Sequence, residues 1–348
     1  MMTEAPVQVR IREGVDQDVF RDEIVPAGEP VLLKGLVSDW PAVRAGRDSP
    51  EAMADYLLGF DSGQAIETIL GTPEIGGRFF YNDDMSGLNF TRKPRKLAES
   101  LRELLEFGER DEPPSIYVQS VPVDAFLPGF ARDNSLACVG ANAPPRIWIG
   151  NRVTVQTHFD LKENVACVVA GRRRFTVFPP SQTPNLYPGP FELTLSGPPV
   201  SMVRFDAPDL ERYPRFREAL AQARYADLEP GDALYIPYFW WHHVQAHDGL
   251  NVLVNYWWND ANADLGSPFD AMLHAILSVR DLPERQRAAW QTMFEHYVFG
   301  AGGDATAHLP ATARGILGEH DKETRKTIRK ILLAVLARQA GLRPPGGG

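Results

Sequence analysis

The spacing of hydrophobic positions changes character twice along this chain. In the first 114 residues the signals are mixed. Pro30-Val31-Leu32-Leu33-Lys34-Gly35 reads as a strand, while residues 98–107 carry apolar side chains at helical spacing. From residue 115 to 258 the apolar positions fall in short runs rich in β-branched and aromatic residues, bounded by Gly and Pro: 116–121, 147–149, 165–169, 175–178, 233–236 and 252–258. Such spacing predicts a barrel or a sandwich. Past residue 260 the period becomes helical. Ser267-Pro268-Phe269-Asp270 supplies an N-cap, a first-turn proline and an acidic third position ahead of Met272, Ile276 and Val279. The last predicted helix, 321–338, gathers Ile328, Ile331, Leu332, Val335 and Leu336 on one side, a stripe to be covered by the same chain or by a second subunit. The expected organisation is therefore α/β elements over 1–114, a β core over 115–262, a helical region over 263–343 and a disordered Pro/Gly tail over 344–348.

Composition narrows the class. With 44% apolar and 23% charged residues the chain reads as soluble and globular, and no apolar run reaches the length of a membrane span. The first 13 residues lack the apolar stretch of a secretory signal, so a cytoplasmic location is expected. Two cysteines exclude a disulfide framework, and Cys167 lies in an apolar run where a buried thiol is expected. A formal charge of −9 disfavours nucleic acid as a partner, although Arg172, Arg173 and Arg174 form a local basic patch.

The most informative chemistry begins at Thr157-His158-Phe159-Asp160. Residues two apart on a strand face the same way, so His158 and Asp160 can offer an imidazole and a carboxylate to one ion. A third ligand appears downstream, where Pro230-Gly231-Asp232 launches a strand that runs into His242-His243-Val244. Two histidines and one carboxylate on one face of an ion leave coordination positions open, as non-haem Fe(II) oxygenases require. Neighbours on an extended segment point to opposite faces, so one of His242 and His243 is expected to ligate, and spacing does not say which.

The sequence resembles the cupin-like JmjC family of Fe(II)- and 2-oxoglutarate-dependent hydroxylases. The resemblance runs from Pro30–Gly35 and Asp39-Trp40-Pro41 through Gly77-Arg78-Phe79-Phe80-Tyr81-Asn82-Asp83-Asp84. It is sharpest in His158-Phe159-Asp160, Phe178-Pro179-Pro180, Leu186-Tyr187-Pro188, the 230–244 segment and Val254-Asn255-Tyr256-Trp257. It implies a mainly β fold, a double-stranded β-helix of the cupin or jelly-roll type with flanking helices, and a C-terminal helical region that forms a homodimer. It implies His158, Asp160 and His242 as metal ligands, with no catalytic residue beyond them. It also implies Arg173 in place of the usual lysine at the distal carboxylate of 2-oxoglutarate. Tyr117, Asn164 and Asn255 are expected to line the co-substrate pocket, and Gln119, Trp241 and His243 to meet the substrate. Arginine differs from lysine in being planar and bidentate, so co-substrate binding with altered geometry is expected. A second departure is Val155, where relatives place a hydroxyl residue. Of the aromatic residues crowded between 235 and 258, most are expected in the core, with one or two shielding the metal.

The implied reaction couples decarboxylation of 2-oxoglutarate by O₂ to hydroxylation of a C–H bond. A protein or peptide side chain is the first substrate class, a small metabolite the second, and N-methyl-lysine demethylation ranks below both. The competing readings are a cupin that binds metal without turnover, a Zn-dependent isomerase on the same scaffold, and a non-catalytic dimer that binds a partner through its acidic surface.

Overall fold

In a computed structural model, residues 7–342 other than 141, 196 and 262 are described. The expected tail at 344–348 lies outside the described residues. The chain divides into two compact units, the first ending at Asn259 and the second beginning at Asp260.

The first unit contains two sheets. One has the strand order β1 (Val7–Gln8), β11 (Arg224–Leu228), β10 (Arg173–Phe178), β13 (Trp241–Ala246), β8 (Thr154–Phe159). The other runs β2 (Arg10–Glu13), β3 (Val31–Lys34), β12 (Ala233–Ile236), β9 (Glu163–Ala170), β14 (Asn251–Trp258), β7 (Pro145–Gly150), β6 (Ser115–Pro122), β4 (Ala65–Gly71), β5 (Thr91–Lys96). Strands distant in sequence alternate between neighbours, as in a cupin double-stranded β-helix. The N-terminal residues do more than flank this core, because β2 to β5 are hydrogen-bonded members of the larger sheet.

The unbroken apolar run of β9 has a direct cause. Val165, Cys167 and Val169 face a layer of helices that includes Pro41–Asp48, Pro50–Leu58 and Leu97–Phe107, while Ala166 and Val168 face the space between the sheets. Both faces are buried, so the strand carries no polar alternation. The helix Pro41–Asp48 approaches β9 so closely that a Cβ at Gly46 would lie 2.3 Å from the Val169 carbonyl oxygen. Alternation also sets the polarity of β14: Val252, Val254 and Tyr256 join the helix-side core, and Asn255 points the other way, into the barrel.

The turn that launches β12 is held by the buried Asp232. It accepts hydrogen bonds from Lys34 Nζ at 2.8 Å, the Gly35 amide at 3.0 Å and the Glu229 amide at 3.1 Å. A single carboxylate thus fixes the entry of the strand that precedes the His242-His243 segment.

The second unit is helical. Ser267 caps Pro268–Val279 through the Phe269 amide, Glu284–Tyr297 follows, and Asp321 caps Lys322–Gln339 through the Thr324 amide at 2.7 Å. On the last helix, among the described residues, Ile331 is 52% exposed and Leu332 45%. No helix of the described residues is long and apolar enough to cross a membrane.

Candidate metal centre and co-substrate cavity

β8 and β13 run antiparallel and place His242 directly across from His158, with ring centroids 4.2 Å apart. Asp160 follows just beyond the end of β8, and one of its carboxylate oxygens, Oδ2, lies 3.7 Å from His242 Nε2. One donor atom from each of His158, Asp160 and His242 falls within 4.8 Å of the other two. The register also resolves the paired histidines: His242 lines the cavity, whereas His243 is buried on the opposite face, stacked on Phe205 at 4.6 Å.

Each ligand imidazole is oriented by the backbone. His158 Nδ1 is 2.8 Å from the Gln156 carbonyl oxygen and His242 Nδ1 is 3.0 Å from that of Trp240, in both cases two residues upstream. An Nδ1–H donating to a carbonyl leaves Nε2 unprotonated for a metal. Burial, followed by the nearby His158, pushes His242 down to about 4, so it is neutral at pH 7 as a ligand must be. Asp160 Oδ2 is buried with no hydrogen-bond partner among the described residues, an orphan acceptor that a cation would satisfy. The donor set fits Fe(II).

A cavity of about 320 Å³ opens beside this triad, at the small end of the range for ligand sites. Arg173 reaches it from the start of β10, where alternation turns Arg173, Phe175 and Val177 inward. The arginine is only 3% exposed, and its Nε and Nη2 have no hydrogen-bond partner among the described residues. Burial holds its pKa below the usual guanidinium range, opposed by the Tyr117 hydroxyl beside it. Burial in turn pushes Tyr117 up to about 12, so the phenol stays neutral and can donate. A buried cation with two idle donors needs an anion, and a carboxylate matches its fork geometry.

The amides expected at the co-substrate form a chain across the same wall. Asn255 Oδ1 accepts from Trp148 Nε1 at 2.7 Å, and its amide nitrogen donates to Asn164 Oδ1 at 3.1 Å. Val155 lines the cavity too, so a methyl group stands where the resemblance led a hydroxyl to be expected. Thr157 does not replace it, being buried on the His243 side, 3.4 Å from that ring's Nδ1.

The structure brings Gln119 to the cavity wall, but not Trp241 or His243. Trp241 is fully buried, packs 4.7 Å from the ring of Phe159, and donates its Nε1–H to Thr183 Oγ1 at 2.9 Å. The reason is the two-residue period of β13: because His242 points inward, its neighbours on both sides point outward. Trp241 and His243, expected at the substrate, therefore lie off this cavity wall. Of the aromatic residues at 235–258, Trp257 is the one on the cavity wall, joined there by Trp148.

Sequence reasoning missed Trp148, Arg146 and Ser120 as lining residues. Arg146 and Trp148 lie two apart on β7 and face the same side, which the alternation could have revealed. Ser120 was hidden by a bulge: three steps from Val118 to Val121 on β6 span two from Ile149 to Ile147 on β7.

A family model described as a cupin-like domain matches residues 16–264. The lysine-specific demethylase JMJ31 of Arabidopsis thaliana is 42% identical over 271 residues, covering 69% of this chain and 47% of that protein. The bifunctional peptidase and (3S)-lysyl hydroxylase JMJD7 of Homo sapiens is 28% identical over 292 residues, covering 76% of this chain and 87% of its own. The tRNA wybutosine-synthesizing protein 5 of Gallus gallus is 26% identical over 284 residues, covering 74% and 79%. The chain spans about half the length of several curated relatives it matches.

Proposed function

The chain belongs to the cupin-like JmjC family, whose members use Fe(II) and 2-oxoglutarate, and we propose that it is a dioxygenase that hydroxylates a protein or peptide side chain. The observation that carries the reading is the pairing of an open His158–Asp160–His242 triad with the idle buried guanidinium of Arg173 in one cavity. A metal-binding cupin without turnover has no use for a buried arginine with two unsatisfied donors in the same cavity.

In this reading His158, Asp160 and His242 hold Fe(II) on one face, with the two Nε2 atoms fixed by the Gln156 and Trp240 carbonyls. When bound, the iron and 2-oxoglutarate supply the oxidative chemistry, activating O₂ as 2-oxoglutarate goes to succinate and CO₂. Arg173 would hold the distal carboxylate with its unpartnered Nε and Nη2 donors, and Tyr117 would add its hydroxyl. The Trp148–Asn255–Asn164 chain stiffens the wall against which the co-substrate lies. Trp148, Val155, Phe175, Val244 and Leu253 exclude water from that wall.

Hydroxylation of a peptide side chain ranks above a small metabolite because the cavity wall includes half-buried residues, Gln119, Ser120 and Arg146 among them, that a bound chain could contact. The lysyl hydroxylase named above supports a protein substrate by analogy. The same reading assigns the exposed stripe of Lys322–Gln339 to a second copy of this chain. The test is co-product analysis with candidate peptides: succinate formation coupled to a 16-dalton gain on the peptide is expected. Formaldehyde release without a hydroxylated product would make the protein a demethylase.

A further inference from the structure

We infer that the mouth of the cavity is built to take a carboxylate of the substrate, with Arg146 as its anchor, so that the target residue is presented within an acidic peptide. The inference rests on the oxygenase reading and names the substrate class of that same site.

Two arginines line the cavity, and the one carboxylate beside them is Asp160. Arg173 is buried at the inner end with Tyr117, whereas Arg146 is half-buried near solvent, with Gln119 and Ser120. With Fe(II) and 2-oxoglutarate in place, the charges of the metal, Asp160, Arg173 and the dianion cancel. Arg146 is then the surplus positive charge of the cavity.

No described residue neutralises it. Its Nε donates to Ser120 Oγ at 2.6 Å and its Nη2 to the Ser120 carbonyl oxygen, both uncharged acceptors. No ion pair involving Arg146 occurs among the described residues, and burial alone shifts its pKa, downward. A partly desolvated cation without a counter-charge is a cost the fold carries unless a ligand removes it.

The clamp that holds Arg146 is itself strained. Ser120 has φ of 53°, a left-handed conformation unfavourable for serine, and it sits in the β6 bulge. Bulges re-aim side chains beside functional sites, and strain persists where surrounding contacts enforce it. Here the bulge turns both the hydroxyl and the carbonyl of Ser120 toward one guanidinium and fixes its direction.

A second donor waits on the same wall. Trp257 Nε1 is buried with no acceptor among the described residues, and the exposed Lys162 Nζ stands 5.5 Å over its ring. With Asp160 committed to the metal, these donors and cations select an anionic group. A single carboxylate needs only this local charge, whereas a phosphodiester backbone would meet the repulsion of a chain with net charge −9.

The test passes a degenerate decapeptide library over immobilised protein loaded with Mn(II) and 2-oxoglutarate, and sequences what is retained. Enrichment of Asp and Glu of about tenfold over input is expected for the wild type, the size of one well-placed charge pair. Arg146→Gln should reduce it to within about twofold of input, Arg146→Lys should restore most of it, and Arg146→Glu should retain Lys and Arg peptides instead. Absence of acidic enrichment in the wild type, or its survival in Arg146→Gln, would overturn the assignment. So would preferential capture of a single-stranded RNA decamer pool that is lost in Arg146→Gln, which would make the site a phosphate reader. The dissociation constant for 2-oxoglutarate is read on the same samples. A rise of more than about tenfold in Arg146→Gln would make Arg146 a co-substrate ligand and overturn its substrate role. Failure of the wild type to bind 2-oxoglutarate would sink the oxygenase reading itself.

Discussion

Replacing Arg173 with methionine should weaken co-substrate binding while strengthening the fold, two effects of opposite sign from one side chain. The guanidinium is 3% exposed, and two of its nitrogens have no hydrogen-bond partner among the described residues. In the co-substrate-free protein it is therefore a desolvated charge with little compensation, and an apolar side chain of similar length should stabilise by about 1 kcal/mol or more. In a unit of this size that raises Tm by roughly 2–4 °C. Binding behaves oppositely, because truncating one partner of a buried charge pair costs about 2–5 kcal/mol. The dissociation constant for 2-oxoglutarate should rise from roughly 30-fold to several thousand-fold. Calorimetric titration of the Mn(II)-loaded protein reads the affinity, and thermal unfolding without co-substrate reads the stability. Affinity within about threefold of wild type would refute the carboxylate clamp. Parallel loss of affinity and stability would make Arg173 a structural residue.

The other predictions concern the surroundings of that clamp. Burial holds His242 at about 4 and His243 at about 3, against 6.5 for an ordinary imidazole. The unfolded chain therefore binds more protons below pH 6.5, and stability present above that pH should drain away as pH falls toward 4 and then 3. Urea midpoints of the metal-free protein should fall across this window, and a flat profile would contradict the burial of both rings. Asn255→Ala strands the Trp148 N–H and the Asn164 oxygen, so it should cost about 1–3 kcal/mol in denaturant unfolding and raise the KM for 2-oxoglutarate. A KM equal to wild type would separate this amide from the co-substrate. Light scattering should find a dimer that Ile331→Asp with Val335→Asp converts to a monomer, and an unchanged mass would remove the stripe from the interface.

Much of the site was readable because its signals are local. A His-x-Asp on a strand needs only the two-residue period, and the run at 252–258 exposes Asn255 as a polar residue among apolar ones. The helix signals at Ser267 and at 321–338 correspond to real caps because capping is written in adjacent residues. What escaped depends on pairing between distant strands. Spacing alone left His242 and His243 open and only the resemblance pointed to His242; the register of β13 against β8 turns that side chain to the cavity and puts Trp241 in the core. The bulge at Ser120 carries no glycine to mark it, and the carbonyls of Gln156 and Trp240 that orient the ligands leave no trace in side-chain identity.

Anaerobic titration of the metal-free protein with Fe(II), then 2-oxoglutarate, is the most direct test of the metal centre. A visible charge-transfer band should grow to one equivalent of each in the wild type and in His243→Phe, and be absent in Asp160→Ala and His242→Ala. A folded wild-type protein that shows no band, or a band that survives loss of Asp160 and His242, would contradict the account.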